Sequence, residues 1–192
     1  EDGLYPQVGL NAVVGRPRDE WSMEPARFDE MRPGCFDPHA RVADMDIDGV
    51  QASLCFPSLI AGFAGTVFTR SRDQKLGRAA LRAWNDWHLE AWCGAYPERL
   101  IPQQVTWLRD PLLAADEVRK NAARGFRSLS FPEMPEYLGL PSIHSGFWDP
   151  FFLACEETST VVNMHIGSSS KMPATSADAP VAVAATLSFG NA

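Results

Sequence analysis

Short apolar runs alternate with longer amphipathic segments along most of the chain, the pattern of alternating strands and helices. Three Asp-Pro pairs, at residues 37–38, 110–111 and 149–150, predict helix starts, because Asp accepts hydrogen bonds from free amides and Pro needs no donor there. Gly49 and Gly125 follow two of these helices and suit a left-handed end. The predicted strands are VQASLCF (50–56), LIPQQVT (100–106), FRSLSF (126–131) and TVVNMH (160–165).

The longest predicted helix covers residues 72–95. Ser71 and Gln74 resemble a capping box at its start. His88 falls in its Trp-rich part and is predicted to pack in the core. Residues at spacings of three and four predict the buried stripe of this helix: Leu76, Ala80, Trp84, Trp87, Ala91 and Ala95.

Strands that alternate with helices favour an α/β fold with a parallel sheet, because right-handed βαβ crossovers place helices over the sheet. We expect a single domain in three parts. Residues 1–36, rich in Gly, Pro and charge, are predicted to wrap the surface, and residues 37–166 carry the βα units. Residues 167–192 are predicted to form a loop, long enough to edge an active site, and a short helix.

Composition narrows the class of partner. The chain has 192 residues, 45% of them hydrophobic, enough for a packed core. A formal net charge of −7 argues against a nucleic acid or a membrane surface and favours a small-molecule substrate. Four scattered cysteines predict a reducing, cytoplasmic setting. No apolar run approaches the roughly 20 residues that span a bilayer, and the first residues lack a signal-peptide pattern.

The candidate chemistry lies at the carboxyl ends of the predicted strands, which open into the ligand crevice of parallel α/β folds. His165 ends the last strand and is predicted to bind a divalent metal, since imidazole is a common ligand of zinc and similar ions. A hydrogen-bonded structural histidine is the alternative. Glu133 is a candidate catalytic general base, and a solvated loop residue is the alternative there.

Four segments resemble the amidohydrolase-2 family, the branch of the amidohydrolase superfamily that includes aminocarboxymuconate-semialdehyde decarboxylase. The resemblance implies a (β/α)8 TIM-type barrel in which His165, in the pattern V-x-x-H-x-G, binds the catalytic metal. It implies zinc as the first choice of metal and manganese as the second. The segments, from about residue 32 to about residue 167, are MRPGCFDPHARVADMDIDGVQASLCFPS, WNDWHLEAWCGAYPERLIP, AARGFRSLSFP and FWDPFFLACEETSTVVNMHIGS.

The same resemblance implies that the chain holds about strands two to five of the eight. The H-x-H pattern of the family's first strand is absent from the sequence, as are the family's later ligands. Four strands cannot close a parallel barrel. We therefore expect either a piece of a longer chain or a second chain that completes the barrel. Separately, six tryptophans and several exposed apolar helix positions predict a homo-oligomer.

The implied function is a metal-dependent hydrolase or decarboxylase of a small carboxylated or cyclic substrate. The rings of Phe56, Trp107 and Phe131 are predicted to line an apolar pocket, with ordinary core packing as their alternative. Ser168 is predicted to contact the substrate, and the loop that it begins is predicted to restrict water. The second hypothesis is a non-catalytic scaffold subunit that retains part of the barrel.

Overall fold

The computed structural model describes residues 13–21, 27–57, 61–169, 171 and 173–190. Short strands alternate with helices along this part of the chain. The strands are β1 (Ser53–Leu54), β2 (Leu100–Ile101), β3 (Gln103–Val105), β4 (Ser128–Pro132) and β5 (Val161–His165). The helices are α1 (Pro38–Asp48), α2 (Thr66–Thr69), α3 (Gln74–Trp87), α4 (Pro111–Arg124), α5 (Asp149–Glu157) and α6 (Val181–Gly190).

The strands form two parallel sheets. In the first, β1 pairs with β2. In the second, β4 lies between β3 and β5, and Pro132 is opposite His165. Every strand pair in the described ranges is parallel, which confirms the predicted α/β class. The predicted strand over residues 100–106 is divided at Pro102, because proline has no N–H to give to a strand ladder.

Two of the three Asp-Pro helix starts are confirmed as predicted. The side chain of Asp37 accepts from the N–H of His39, and Asp110 accepts from the first turn of α4. Gly49 and Gly125 end these helices with φ of 70° and 119°, in the left-handed region. The third start differs, because α5 begins at Asp149 itself and no side chain caps it.

The predicted start of the long helix is wrong. Asp73 caps α3, and its side chain accepts from the N–H groups of Lys75 and Leu76, both at 3.0 Å. The hydroxyl of Ser71 instead donates to the backbone carbonyl of Asp73 at 2.8 Å. Regular α-helix ends at Trp87, and a π-helical turn (His88–Trp92) and a 3-10 turn (Cys93–Ala95) follow it.

The predicted buried stripe of α3 is also wrong by one position. Gly77, Leu81 and Asn85 are buried, whereas Leu76 is 58% exposed. Asn85 is buried because its amide bonds both backbone groups of Val105 in β3, accepting from the N–H at 2.9 Å and donating to the carbonyl at 3.0 Å. A pattern built on apolar residues alone does not detect a buried amide of this kind.

The two faces of the second sheet differ in chemistry. Leu129 and Phe131 of β4 pack into a core with helices α4 and α5. Because side chains alternate along a strand, Ser128 and Ser130 lie on the opposite face. The register of β5 places Asn163 and His165 on that same face. In β4 and β5 the helix side is therefore apolar, and the other side carries polar groups and the candidate ligand.

The chain termini were predicted from composition. Helix α6 lies where a short helix was predicted near the C-terminus. The surface role of residues 1–36 stays a prediction, and residues 1–12 and 22–26 lie outside the described part of the chain. In the part described, Arg32 forms an ion pair with Asp44 of α1 at 2.6 Å. Within the described ranges, no helix has the length and apolar character needed to cross a membrane.

Candidate functional site

His165 is the last residue of β5 and is half-buried. Its Nδ1 lies 2.7 Å from the backbone carbonyl oxygen of Ile166. A carbonyl only accepts, so Nδ1 carries the proton of the neutral ring and donates it in this bond. Nε2 keeps its lone pair and is the atom that could bind a metal. In metal-binding histidines, too, the other ring nitrogen donates a hydrogen bond that fixes the tautomer and the ring orientation.

Two phenylalanine rings hold the plane of the His165 imidazole. Phe63 is stacked on it, with ring centroids 4.2 Å apart and planes 8° apart. Phe56 approaches edge-on, with centroids 4.9 Å apart. Phe56 was predicted to line the pocket, and the structure places it in the candidate site. Sequence reasoning missed Phe63, whose φ of 49° is unusual for a residue other than glycine and whose neighbours in AGFAG are a turn pattern.

Glu133 follows β4 and is completely buried, so the alternative of a solvated loop residue is wrong. Its Oε1 accepts from the N–H of Gly167 at 2.8 Å and from the hydroxyl of Ser169 at 2.9 Å. Its Oε2 accepts from the hydroxyl of Ser168 at 2.5 Å and from the N–H of Ser169 at 3.2 Å. Together these bonds fill the four acceptor positions of a carboxylate.

Ser168 follows the candidate metal ligand His165 by three residues, and its hydroxyl donates to Glu133. Its side chain is 2% exposed. A contact between Ser168 and a substrate therefore stays a prediction, and it would require this hydroxyl to turn away from the carboxylate. In the structure, Ser168 and Ser169 act as donors that stabilise a buried acid.

The other two predicted pocket rings are buried in cores. Trp107 packs with Leu81 in one cluster. Phe131 packs on the helix side of β4, with ring centroids 5.0 Å from Trp148 and 5.1 Å from Phe151. That is the face of the sheet opposite to His165. The structure does not bring Phe131 to the candidate ligand, and the pocket role of Trp107 and Phe131 stays a prediction.

A second histidine is buried away from this site. His88 stacks on Trp84, with centroids 4.8 Å apart, and its Nε2 lies 3.6 Å from Sγ of Cys93. Burial lowers the pKa of His88 to about 4 and raises the pKa of the Cys93 thiol to about 12. His88 is thus a neutral core residue, as the Trp-rich pattern predicted.

His165 fits a metal as a single ligand. Its Nε2 has no hydrogen-bond partner among the residues that the structure describes, and imidazole suits zinc and manganese alike. Among the residues that the structure describes, no group of three or more His, Cys, Asp or Glu side chains could hold a metal ion. The described residues therefore offer one well-oriented ligand and do not complete a coordination sphere.

Three comparisons relate the chain to known proteins. It matches a solved 5-carboxyvanillate decarboxylase from Novosphingobium aromaticivorans DSM 12444, complexed with manganese and 4-hydroxy-3-methoxy-5-nitrobenzoic acid, at 24% identity and a TM-score of 0.54. A mutant of that decarboxylase with bound manganese matches at 25% identity and the same TM-score. An amidohydrolase from Mycobacterium avium subsp. paratuberculosis K-10 matches at 23% identity and a TM-score of 0.62.

These matches cover 78%, 79% and 87% of this chain but 38%, 38% and 44% of the solved chains, respectively. The chain thus spans less than half the length of these structures. No curated protein matches it. The model of the amidohydrolase family (Amidohydro_2) matches residues 10–189, nearly the whole sequence. The chain therefore belongs to the amidohydrolase family.

Proposed function

We propose that this chain is part of a metal-dependent hydrolase or decarboxylase, and that His165 is one of its metal ligands. The observation that carries the proposal is the hydrogen bond from Nδ1 of His165 to the Ile166 carbonyl, which leaves the lone pair on Nε2 at a strand end. Membership of the amidohydrolase family supports it. So does the likeness to a decarboxylase solved with manganese.

The proposed substrate is a small carboxylated ring. The decarboxylase to which the chain is similar was solved with a substituted benzoic acid, which supports decarboxylation as the first choice of reaction. Hydrolysis is the second, because another similar structure is an amidohydrolase. A divalent metal, manganese or zinc, would polarise the substrate or lower the pKa of a bound water.

The proposed roles of this chain's residues are to bind the metal and to hold the metal ligand in position. His165 would donate the lone pair of Nε2, while the ring contacts with Phe63 and Phe56 hold the plane of its imidazole. Glu133 has no free acceptor position in this arrangement, because each of its oxygens already accepts two hydrogen bonds. A general-base role for Glu133 would require at least one of these bonds to break.

Metal analysis of the full-length protein tests the proposal. Wild type, His165→Gln and His144→Gln are purified, stripped with chelator and titrated with Mn²⁺ and Zn²⁺ by calorimetry. His144 is the matched control, because it is an exposed histidine on a turn before α5. We expect wild type and His144→Gln to bind one of these metals stoichiometrically and His165→Gln to lose most of the affinity.

Activity is then measured as carbon dioxide release from hydroxylated benzoic acids, with ester and lactone hydrolysis as the second assay. Turnover that requires metal and is lost in His165→Gln supports the enzyme. Metal binding that is equal in wild type and His165→Gln would contradict the role of His165. A stable, metal-free protein would instead support the scaffold hypothesis.

A further inference from the structure

A single peptide group connects Glu133 to His165. The carbonyl oxygen of Ile166 accepts the Nδ1–H of His165 at 2.7 Å. The N–H on the other side of the same peptide bond, that of Gly167, donates to Oε1 of Glu133 at 2.8 Å. In a trans peptide the carbonyl and the N–H point in opposite directions, so a partner that fixes one also fixes the other.

This peptide is the central one of a β-turn. The turn runs from His165 to Ser168 and is closed by the Ser168 N–H, which donates to the His165 carbonyl at 3.1 Å. Gly167 has φ of 79°, the value at the third position of a type II turn. Types I and II differ chiefly in the direction of the central peptide, and glycine can adopt either. The backbone of the turn therefore permits two orientations, and only one of them directs the Ile166 carbonyl to the imidazole.

Glu133 selects between these orientations. Its carboxylate is fully buried, and among the residues that the structure describes no Lys or Arg side chain forms an ion pair with it. A buried carboxylate is stable only when hydrogen-bond donors satisfy its oxygens. In the observed orientation the Gly167 N–H satisfies Oε1. In the opposite orientation the Ile166 carbonyl would face the carboxylate, and two acceptors would repel each other.

We propose that Glu133 is a positioning residue: it holds the peptide between Ile166 and Gly167 in this orientation and so keeps the proton of His165 on Nδ1 and the lone pair on Nε2. The inference rests on the proposed metal-binding role of His165. The bonds from Ser168 and Ser169 place the carboxylate where it can do this. Glu133 then acts through the tautomer of a ligand and does not touch the substrate.

Three readouts on the full-length protein test the proposal, and two of them need no metal. The tautomer of His165 is read in metal-free protein from long-range ¹H–¹⁵N spectra of the ring, at about pH 8.5, where an ordinary imidazole is neutral. Hydrogen exchange of the backbone amides of Gly167 and Ser169 reports whether the Glu133 carboxylate still accepts their hydrogen bonds. Mn²⁺ affinity is measured by calorimetry. The variants are Glu133→Gln and, as a matched control, Glu117→Gln, because Glu117 is also buried but pairs with Arg82 on the helix layer.

In wild type we expect the Nδ1–H tautomer and slow exchange at both amides. Glu133→Gln replaces one carboxylate oxygen with an NH₂ group, which cannot accept the hydrogen bonds that the backbone N–H groups and serine hydroxyls donate there. We therefore expect faster hydrogen exchange at both amides and a mixture of His165 tautomers. The Mn²⁺ affinity should fall about 10- to 100-fold, the usual effect of losing a hydrogen-bond partner behind a metal ligand. Glu117→Gln should leave the tautomer and the affinity unchanged even if it lowers the melting temperature. That difference separates positioning from general stability.

A folded Glu133→Gln protein with an unchanged tautomer and unchanged Mn²⁺ affinity would overturn the proposal, as would an Nε2–H tautomer in wild type. If Glu133→Gln does not fold, Glu133→Asp replaces it. The aspartate keeps the charge but is one methylene shorter, so it should shift the same readouts less strongly, and unchanged readouts would again overturn the proposal. If His165→Gln binds Mn²⁺ as wild type does, the proposed function fails, yet the tautomer still decides the role of Glu133.

Discussion

The buried imidazole of His88 makes the stability of this protein depend on pH. Burial lowers its pKa in the folded chain to about 4, from an ordinary value of 6.5. Between these values the unfolded chain binds a proton that the folded chain does not, so the free energy of unfolding falls as the pH falls from 6.5 through 4. Cys93, the neighbour of His88, does not offset this effect, because burial raises the pKa of its thiol to about 12.

The size of the effect follows from the two pKa values. The full difference corresponds to about 3 kcal/mol, which is lost completely only below pH 4. Between about pH 7.5 and about pH 5.5 the loss from His88 alone is about 1.3 kcal/mol. That is a measurable part of the roughly 5–15 kcal/mol that stabilises a typical domain.

Urea unfolding followed by tryptophan fluorescence measures this loss. Wild type is compared at the two pH values with His88→Leu, which does not titrate, and with His144→Leu, which removes an exposed histidine. Other groups titrate in all three proteins, so the quantity of interest is the difference between their pH dependences. We expect His88→Leu to lose about 1.3 kcal/mol less than wild type on acidification, and His144→Leu to behave as wild type does. Equal losses in wild type and His88→Leu would refute the reasoning.

Three further changes test the fold and the site. Asn85→Leu should lower the free energy of unfolding by about 2–6 kcal/mol, because it leaves the N–H and carbonyl of Val105 unpaired in the core; a urea midpoint close to that of wild type would contradict this. Asp110→Ala should cost about 1 kcal/mol in the same assay through loss of a helix cap, and no measurable change would speak against the cap. Phe63→Ala should weaken Mn²⁺ binding about 10-fold, because it removes the ring that is stacked on the imidazole of His165. An unchanged Mn²⁺ affinity in calorimetry would contradict this.

Most of the fold was predictable because it depends on local interactions. Helices α1 and α4 each begin at an Asp-Pro pair and end at a glycine, and apolar runs mark the strands. The start of α3 was not predictable in the same way, because Ser71 and Asp73 are both good capping residues and only the turn between them decides which one caps. The burial of Asn85 depends on a strand 20 residues further along the chain.

The site was predictable only in part, because part of it depends on contacts between residues far apart in the chain. His165 could be found because it ends a strand and lies in a pattern that resembles a metal-binding family. The burial of Glu133 could not, because its four donors come from residues 34 to 36 positions away. Phe63 lies in a turn without periodicity, so nothing in the pattern of apolar residues connects it with the imidazole that it covers.

The polar face of the second sheet shows where stability was not the main constraint. The amide of Gln103 and the hydroxyl of Ser130 are buried there and have no hydrogen-bond partner within the described part of the chain. Unpartnered groups of this kind reduce stability, and apolar residues would fill the same positions at lower cost. The opposite face of β4 and β5 packs into an apolar core. Strand β3 does not follow this division, because Gln104 lies beside Leu129 on the helix side, where its Oε1 accepts from Asn121 of α4 and its Nε2 has no partner within the described residues. The clear contrast between an apolar and a polar face thus belongs to β4 and β5, the strand pair that ends at His165, which is the distribution expected when one side of a sheet is kept for chemistry.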